Sequence, residues 1–244
     1  MNNTHVFGLH SVRSVLKNNP RSVVRLMLSD SRKDKALSEL ESLAKEQRIS
    51  IEQVSQKELQ KNFPDARHQG AVAECKAREV MSEPQLLKHV MSLDKPLLLV
   101  LDGVTDPHNL GAVLRTADAA GVDAVIVPRN GSAGLTPVVR KVASGAAETI
   151  AFCPVANLAR ILAELKDLGI WIYGASDNAD ADYTNIDYSG PIALVMGAEG
   201  KGLRRLTREA CDGLISIPMA GSVSSLNVSV AAGICLFEVV RQRR

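Results

Sequence analysis

Aromatic rings are scarce in this chain: one Trp, three Tyr and four Phe among 244 residues. A platform on which single-stranded RNA bases stack needs several exposed rings, so that mode of recognition is excluded. Cysteine is sparse too. Cys75, Cys153, Cys211 and Cys235 form no CxxC pair, which argues against a zinc ribbon or redox dithiol and predicts reduced thiols in a cytoplasmic protein. No stretch reaches the roughly 18 uninterrupted apolar residues of a membrane span. The opening MNNTHVFGLH lacks the basic-then-apolar pattern of a secretion signal, so no membrane partner is expected. Excess charge is missing as well, with 29 Lys and Arg against 27 Asp and Glu, which excludes a strongly basic or acidic tail protein. What remains is an ordinary globular composition, 45% hydrophobic, long enough to bury a core without disulfides or metal.

The charge is unevenly placed. Residues 1–77 carry 13 Lys and Arg against 9 Asp and Glu, a net +4, whereas residues 78–244 carry 16 against 18. The first part is the better candidate for a polyanion contact, although a solvated surface explains +4 almost as well. Its pattern reads as a small α/β unit. Leu9, Val12, Val15 and Leu16 fall at helical spacing, Val23 to Leu28 reads as a strand, Ser38 to Gln47 as a helix, Ile49 to Val54 as an alternating strand, and Ala71 to Cys75 as a last strand. Residues 78–95, with Pro84 and a short Leu86/Leu87/Val90 helix, read as a linker.

From Pro96 onward, strands and helices alternate. Leu97–Leu101, Ala124–Val127, Ile170–Tyr173, Ile192–Met196 and Leu214–Ile217 are apolar runs. Between or after them lie three predicted helices: one capped by Asn109, one by Asn157, and a last one over Leu226–Gln242. Apolar strands alternating with helices predict a mostly parallel sheet covered on both faces. In such a sheet ligands bind beyond the C-terminal strand ends, so the loops there are the places to search.

Three of those loops have unusual compositions. Asp102 to Asn109 leads into a helix that carries Arg115. Gly197-Ala198-Glu199-Gly200-Lys201-Gly202 packs three glycines around one carboxylate, which permits close backbone approach to a ligand. It is neither a P-loop nor a dinucleotide fingerprint. Ile217 to Ser229 crowds four serines and Asn227 at the entrance to the last helix, more than one cap requires. There is no GxSxG elbow, and His108 is the only histidine near these loops, so a serine hydrolase triad has little support. Magnesium chemistry would need clustered carboxylates, and only Glu199 and the Asp102/Asp106 pair are on offer. Taken singly, a cap and a surface cation explain the first loop and a tight turn the second at least as well as a site does, whereas the third is the hardest to explain structurally.

Together and in this order, Asn109-Leu110-Gly111-Ala112-Val113-Leu114-Arg115, Leu194-Val195-Met196-Gly197-Ala198-Glu199-Gly200, and Ile217-Pro218-Met219 through Ser225-Leu226-Asn227-Val228-Ser229 resemble the three motifs of the SpoU class of knotted SPOUT RNA methyltransferases. Phe7-Gly8-Leu9-His10, His68-Gln69-Gly70 and Asp102 to Asn109 extend the resemblance to the branch that methylates a guanosine 2′-oxygen in 23S rRNA. A weaker likeness lies in Ser144 to Glu148. The resemblance implies a ribosomal-protein-like RNA-binding domain over 1–77 and a catalytic domain over 96–244 with a deep trefoil knot. It also implies a homodimer, S-adenosylmethionine as cofactor without metal, and 23S rRNA or a large-subunit precursor as partner. Gly197, Ile217, Met219 and Leu226 would hold the cofactor. Asn109, Arg115, Glu199, Ser225 and Asn227 would form the catalytic set.

In-line attack of a ribose 2′-oxygen on a sulfonium methyl requires positioning and help in losing the hydroxyl proton. A guanidinium is effectively always protonated, so Arg115 is expected to clamp the adjoining phosphate and stabilise the developing alkoxide; the general-base role that the family resemblance also implies would demand an unusual shift. A tRNA methyltransferase of the same class, and a non-catalytic RNA-binding assembly factor, are the alternatives at this point.

Overall fold

The computed structural model describes residues 3–30, 35–64, 66–76, 80–179 and 181–244. Residues 78 and 79 of the expected linker lie outside them. The chain falls into two compact units, Met1–Glu79 with Arg140–Thr149, and Val80–Val139 with Ile150–Arg244.

In the first unit the elements are β1 (Asn3–Phe7), α1 (Leu9–Asn18), β2 (Val23–Ser29), α2 (Lys35–Glu46), β3 (Ser50–Val54), α3 (Gln56–Asn62) and β4 (Ala71–Lys76). The strands form one sheet in the order β1-β4-β2-β3, with β2 and β3 parallel and the other pairs antiparallel. Period-two alternation gives this sheet two buried faces. Leu26, Leu28, Ala71 and Ala73 pack with Val12 and Leu16 of α1 and Leu40 of α2. Met27 and Val72 point the other way, onto Leu59 of α3 and the rings of Phe7 and Phe63. The sequence pattern misses β1, an edge strand of five residues, and α3, a polar seven-residue helix with one buried side chain. Within this unit Asn19 Nδ2 donates to the Glu148 carbonyl at 2.9 Å, and the buried Glu148 carboxylate pairs with Arg140. The Ser144–Glu148 segment thus packs with the first unit.

The second unit runs α4 (Glu83–Met91), β5 (Leu97–Asp102), α5 (Pro107–Ala119), β6 (Ala124–Pro128), α6 (Pro137–Ala143, which continues into the 140–149 segment), α7 (Ala146–Thr149, in that segment), β7 (Ala151–Val155), α8 (Leu158–Asp167), β8 (Trp171–Ala175), β9 (Ala181–Asp182), β10 (Ile192–Gly197), α9 (Arg205–Ala210), β11 (Gly213–Ser216) and α10 (Val228–Gln242). Seven strands form a wholly parallel sheet in the order β7-β6-β5-β10-β8-β11-β9. Leu98, Val100, Ile126, Ile172 and Val195 pack on Leu86 of α4 and on Ile161, Leu162 and Leu165 of α8. Helices α5 and α10 pack together against the opposite face. The expected parallel sheet with two covered faces is present.

Two local expectations change. The N-cap of α5 is Asp106, whose carboxylate accepts the His108 N–H at 2.8 Å; with Pro107 at the first helical position the helix starts three residues early, and Asn109 sits in its first turn. Strand β7 escapes the pattern because Pro154 interrupts it, and it is tolerated because β7 is an edge strand paired only with β6. Arg243, just past α10, donates to the carbonyls of Lys95, Tyr188 and Gly190 at 2.9, 3.0 and 2.6 Å, fixing the end of that helix against the entries to β5 and β10. Among the described residues no helix is long and apolar enough to cross a membrane.

Candidate active site

The parallel sheet brings the three unusual loops to one edge. β5 and β10 are neighbours in register, Gly197 beside Asp102, so the chain leaves both strands at the same level. Beyond that edge three side chains from three separate loops meet. Asn109 Nδ2 donates to Glu199 Oε1 at 3.0 Å. Asn227 Nδ2 lies 2.7 Å from the same oxygen and 3.0 Å from Asn109 Oδ1. Asn227 Oδ1 in turn accepts the Ser229 N–H at 2.9 Å and the Ser229 hydroxyl at 2.6 Å, capping α10. Asn227 therefore satisfies a helix end with one side of its amide and holds a carboxylate with the other. Glu199 Oε2 has no partner among the described residues.

Beside this cluster lies a cleft of about 520 Å³, within the range of small-molecule and cofactor sites. Gly197, Ile217, Met219, Ser225 and Leu226 line it, together with Glu199 and Asn227. Met196, Ile215 and Ile217 give it apolar walls, and the loops supply backbone N–H and C=O groups. Such a lining suits an uncharged adenosine with an adjoining polar tail, so the residues present fit S-adenosylmethionine. Among the described residues no group of three or more His, Cys, Asp or Glu is placed to hold a metal ion.

The steric role of Gly197 differs from the expected one. A Cβ there would fall 2.3 Å from the Gly202 carbonyl carbon and 2.6 Å from the Leu203 nitrogen. The loop closes on itself through reciprocal backbone bonds between Ala198 and Gly202, at 2.9 and 3.2 Å, and only glycine permits that closure. Room for a ligand is thus not the first reason for glycine at this position.

Arg115 does not join the cluster. It is exposed on α5 and makes no hydrogen bond or ion pair with the described residues. Six residues separate it from Asn109, about 9 Å along the helix and about 240° around it. Ser225 is exposed in the cleft wall. Sequence reasoning passed over Lys201, Arg208 and Asp177, which also line the cleft; Arg208 Nη2 donates to Ser176 Oγ at 2.7 Å. Single charged residues among many carry no signal of their own, and only the strand order brings the loop after β8 beside the loop after β10.

Residues 96–237 match the SpoU rRNA Methylase family, and residues 5–81 match the family described as RNA 2′-O ribose methyltransferase substrate binding. The chain is 54% identical over 239 residues to the 23S rRNA (guanosine-2′-O-)-methyltransferase RlmB of Shewanella oneidensis, covering 98% of this chain and 97% of that one. It is 52% identical over 238 residues to the corresponding protein of Pectobacterium atrosepticum, covering 98% of each. Among solved structures, the SpoU methyltransferase AviRb of Streptomyces viridochromogenes in complex with AdoMet matches with a TM-score of 0.77 at 25% identity, covering 99% of this chain and 90% of that one. The TrmH/SpoU tRNA modifying enzyme of A. aeolicus covers only 66% of this chain and 84% of its own, with a TM-score of 0.55 at 31% identity. On the family matches and the full-length relatives alike, this chain belongs to the SpoU rRNA methylase family.

Proposed function

We propose that this chain transfers a methyl group from S-adenosylmethionine to the ribose 2′-hydroxyl of a guanosine in 23S rRNA or a large-subunit precursor. The observation that carries the reading is the hydrogen-bonded meeting of Asn109, Glu199 and Asn227, one from each motif, at the mouth of a cofactor-sized cleft with both apolar and polar walls. The full-length likeness to rRNA enzymes, against a two-thirds likeness to a tRNA enzyme, favours rRNA over tRNA. Residues 1–77, with their net +4, are read as the RNA-binding domain and residues 96–244 as the catalytic domain.

The bound cofactor supplies an electrophilic methyl on a sulfonium. The chain's own residues do the rest. Gly197, Ile217, Met219 and Leu226 hold the cofactor against the strand ends. Asn109 and Asn227 hold Glu199 through one oxygen and leave Oε2 to accept an O–H or N–H from the nucleotide. Ser225 is placed to hold the nucleotide or the loop. Arg115 clamps the adjoining phosphate and stabilises charge on the attacking oxygen as its proton passes to solvent water.

The active form is read as a homodimer. Val230 and Phe237 on α10 are 50% and 47% exposed and lie seven residues apart on one stripe, an arrangement that favours burial against a second copy. The trefoil threading of the last strands and helix is likewise read from the family. It agrees with β10 lying between β5 and β8 while α10 returns to α5. Action on ribosomal RNA supports a cytoplasmic reading.

Mapping of 2′-O-methyl nucleotides in RNA from a deletion strain, with purified protein and labelled cofactor added back, tests the proposal. One 23S guanosine losing its methyl in the strain and regaining it in the tube is the expected result. Label appearing only in tRNA, or none in any RNA, would sink it.

A further inference from the structure

The edge that carries the Asn109, Glu199 and Asn227 cluster holds a second charged arrangement which that cluster does not use. Asp102, the last residue of β5, has a side chain wholly out of solvent. Its Oδ2 accepts the Arg204 backbone N–H at 2.8 Å. Its Oδ1 accepts no hydrogen bond and has Arg204 Nε beside it at 3.5 Å. A buried carboxylate without a cation next to it is strongly unfavourable, so the base of the Arg204 side chain is fixed at this spot.

The far end of the same side chain is left open. Arg204 is 55% exposed, and neither Nη1 nor Nη2 donates to a described residue. Bare backbone lies beneath it. A Cβ at Gly103 would sit 3.4 Å from Nη2 and a Cβ at Gly131 3.1 Å from it, and both glycines have positive φ, 89° and 77°. Two loops are therefore cut back to glycine where the guanidinium passes over them. The location also has a direction. Arg204 follows Glu199 in the loop after β10, and Asp102 begins the loop that reaches Asn109. Gly131 follows β6, on the side of β5 away from the cleft, which lies toward β8 and β11.

A planar fork of free N–H donors, anchored by a buried carboxylate and facing solvent, is suited to bidentate capture of a phosphate. We infer that Arg204 binds a backbone phosphate of the RNA strand on the β6 side of the methylated ribose, with Asp102 as the residue that positions it. The strand then crosses the ends of β5 and β6 while the cofactor occupies the β8 and β11 side. This inference rests on the reading of the site as an RNA ribose methyltransferase.

The test compares full-length wild type with Arg204→Ala and Arg204→Gln. Binding to 23S rRNA is followed across a salt series, with steady-state methyl transfer and calorimetric cofactor binding alongside. The loss should concentrate in the KM for RNA, roughly tenfold or more, with cofactor affinity kept. The slope of log K against log salt should shrink by about 0.7 to 0.9, the signature of one lost phosphate contact. Asp102→Asn keeps an acceptor for the backbone N–H but removes the charge, and should raise the RNA KM in the same direction. If Arg204→Ala melts early, Arg204→Gln, which keeps most of the stem without the charge, carries the same readouts. Unchanged RNA affinity and salt slope in a folded variant overturn the inference. So does loss of cofactor binding with the slope intact, which marks a purely structural role. A wild type that transfers no methyl to any RNA overturns the proposed function instead.

Discussion

Asn227 Nδ2 lies 2.7 Å from Glu199 Oε1, while Asn227 Oδ1 caps α10 by accepting the Ser229 N–H at 2.9 Å. One amide thus joins the start of the last helix to the only carboxylate of the cluster, so substitutions that keep one function and lose the other separate stability from catalysis. Asn227→Ala loses both. Removal of the cap costs about 1 kcal/mol, a fall of about 2–4 °C in melting temperature for a chain of this size, and methyl transfer should fall further than that loss explains. Asn227→Asp keeps the cap but sets a second carboxylate against Glu199. Like charges raise one pKa of the pair in the folded state, so the folded variant binds more protons than its unfolded chain and loses stability as pH rises. Thermal melts should show the gap to wild type widening from pH 4.5 to pH 8; a constant gap would mean the two groups do not face each other.

Closure of the Gly197–Gly202 loop predicts which glycines matter. Gly197→Ala places a Cβ 2.3 Å from the Gly202 carbonyl carbon, so the loop must open and cofactor binding should be lost in calorimetry. Gly221 lies in another of the unusual loops, between Met219 and Ser224 of the cleft lining, and has open space at its Cβ. Gly221→Ala should bind cofactor as wild type does. Equal binding by both variants would contradict the steric argument.

The legibility of the fold followed how strongly each element is buried. Leu97–Leu101 and Ile192–Met196 are buried along their length and read as strands at once, as does α8, whose Ile161, Leu162 and Leu165 face one core. Elements with little to bury left no such trace. α3 buries only Leu59 and β9 has two residues, whereas β7 is buried along most of its length and is hidden by Pro154 instead. The site was legible as three loops of odd composition. Their meeting was not, because Asn109 and Asn227 are 118 residues apart: the adjacency of β5 and β10 joins the Asn109 and Glu199 loops, and the packing of α10 on α5 brings Asn227 to them. The Asp102–Arg204 contact was hidden for the same reason. An aspartate ending a strand and an arginine opening a helix look like two ordinary solvated charges until the register puts them side by side.

Acid should weaken the C-terminal helix through Glu238. Hydrogen bonds from Arg241 and Gln242 hold its carboxyl well down, at about 2 against an ordinary 4.5. A folded pKa below the unfolded one adds stability above the unfolded value and loses it as pH falls through the folded one. At neutral pH Glu238→Gln should therefore melt below wild type, and the difference should close as pH falls from about 4.5 toward 2. Melts at stepped pH read this directly; a difference that persists at pH 2 would assign the effect to packing.

Arg115 gives the most discriminating prediction, because among the described residues nothing pairs with it. Arg115→Ala should cut methyl transfer roughly 10²-fold or more at saturating RNA, the scale for losing one preorganised donor to a developing oxyanion, while cofactor binding survives. Arg115→Lys keeps the charge but loses the planar fork, so a bidentate phosphate clamp predicts little rescue. The exposed position of Arg115, about 240° around α5 from Asn109, further predicts that, in the proposed homodimer, it serves the cluster of the second copy. Mixed dimers of Arg115→Ala with Glu199→Gln, each nearly inactive alone, should then regain activity, since one of the two sites receives an intact arginine from one chain and an intact carboxylate from the other. Activity that stays at the level of the separate variants in verified mixed dimers would place Arg115 with the cluster of its own chain. Wild-type turnover by Arg115→Ala in the single-turnover assay would remove Arg115 from the site altogether.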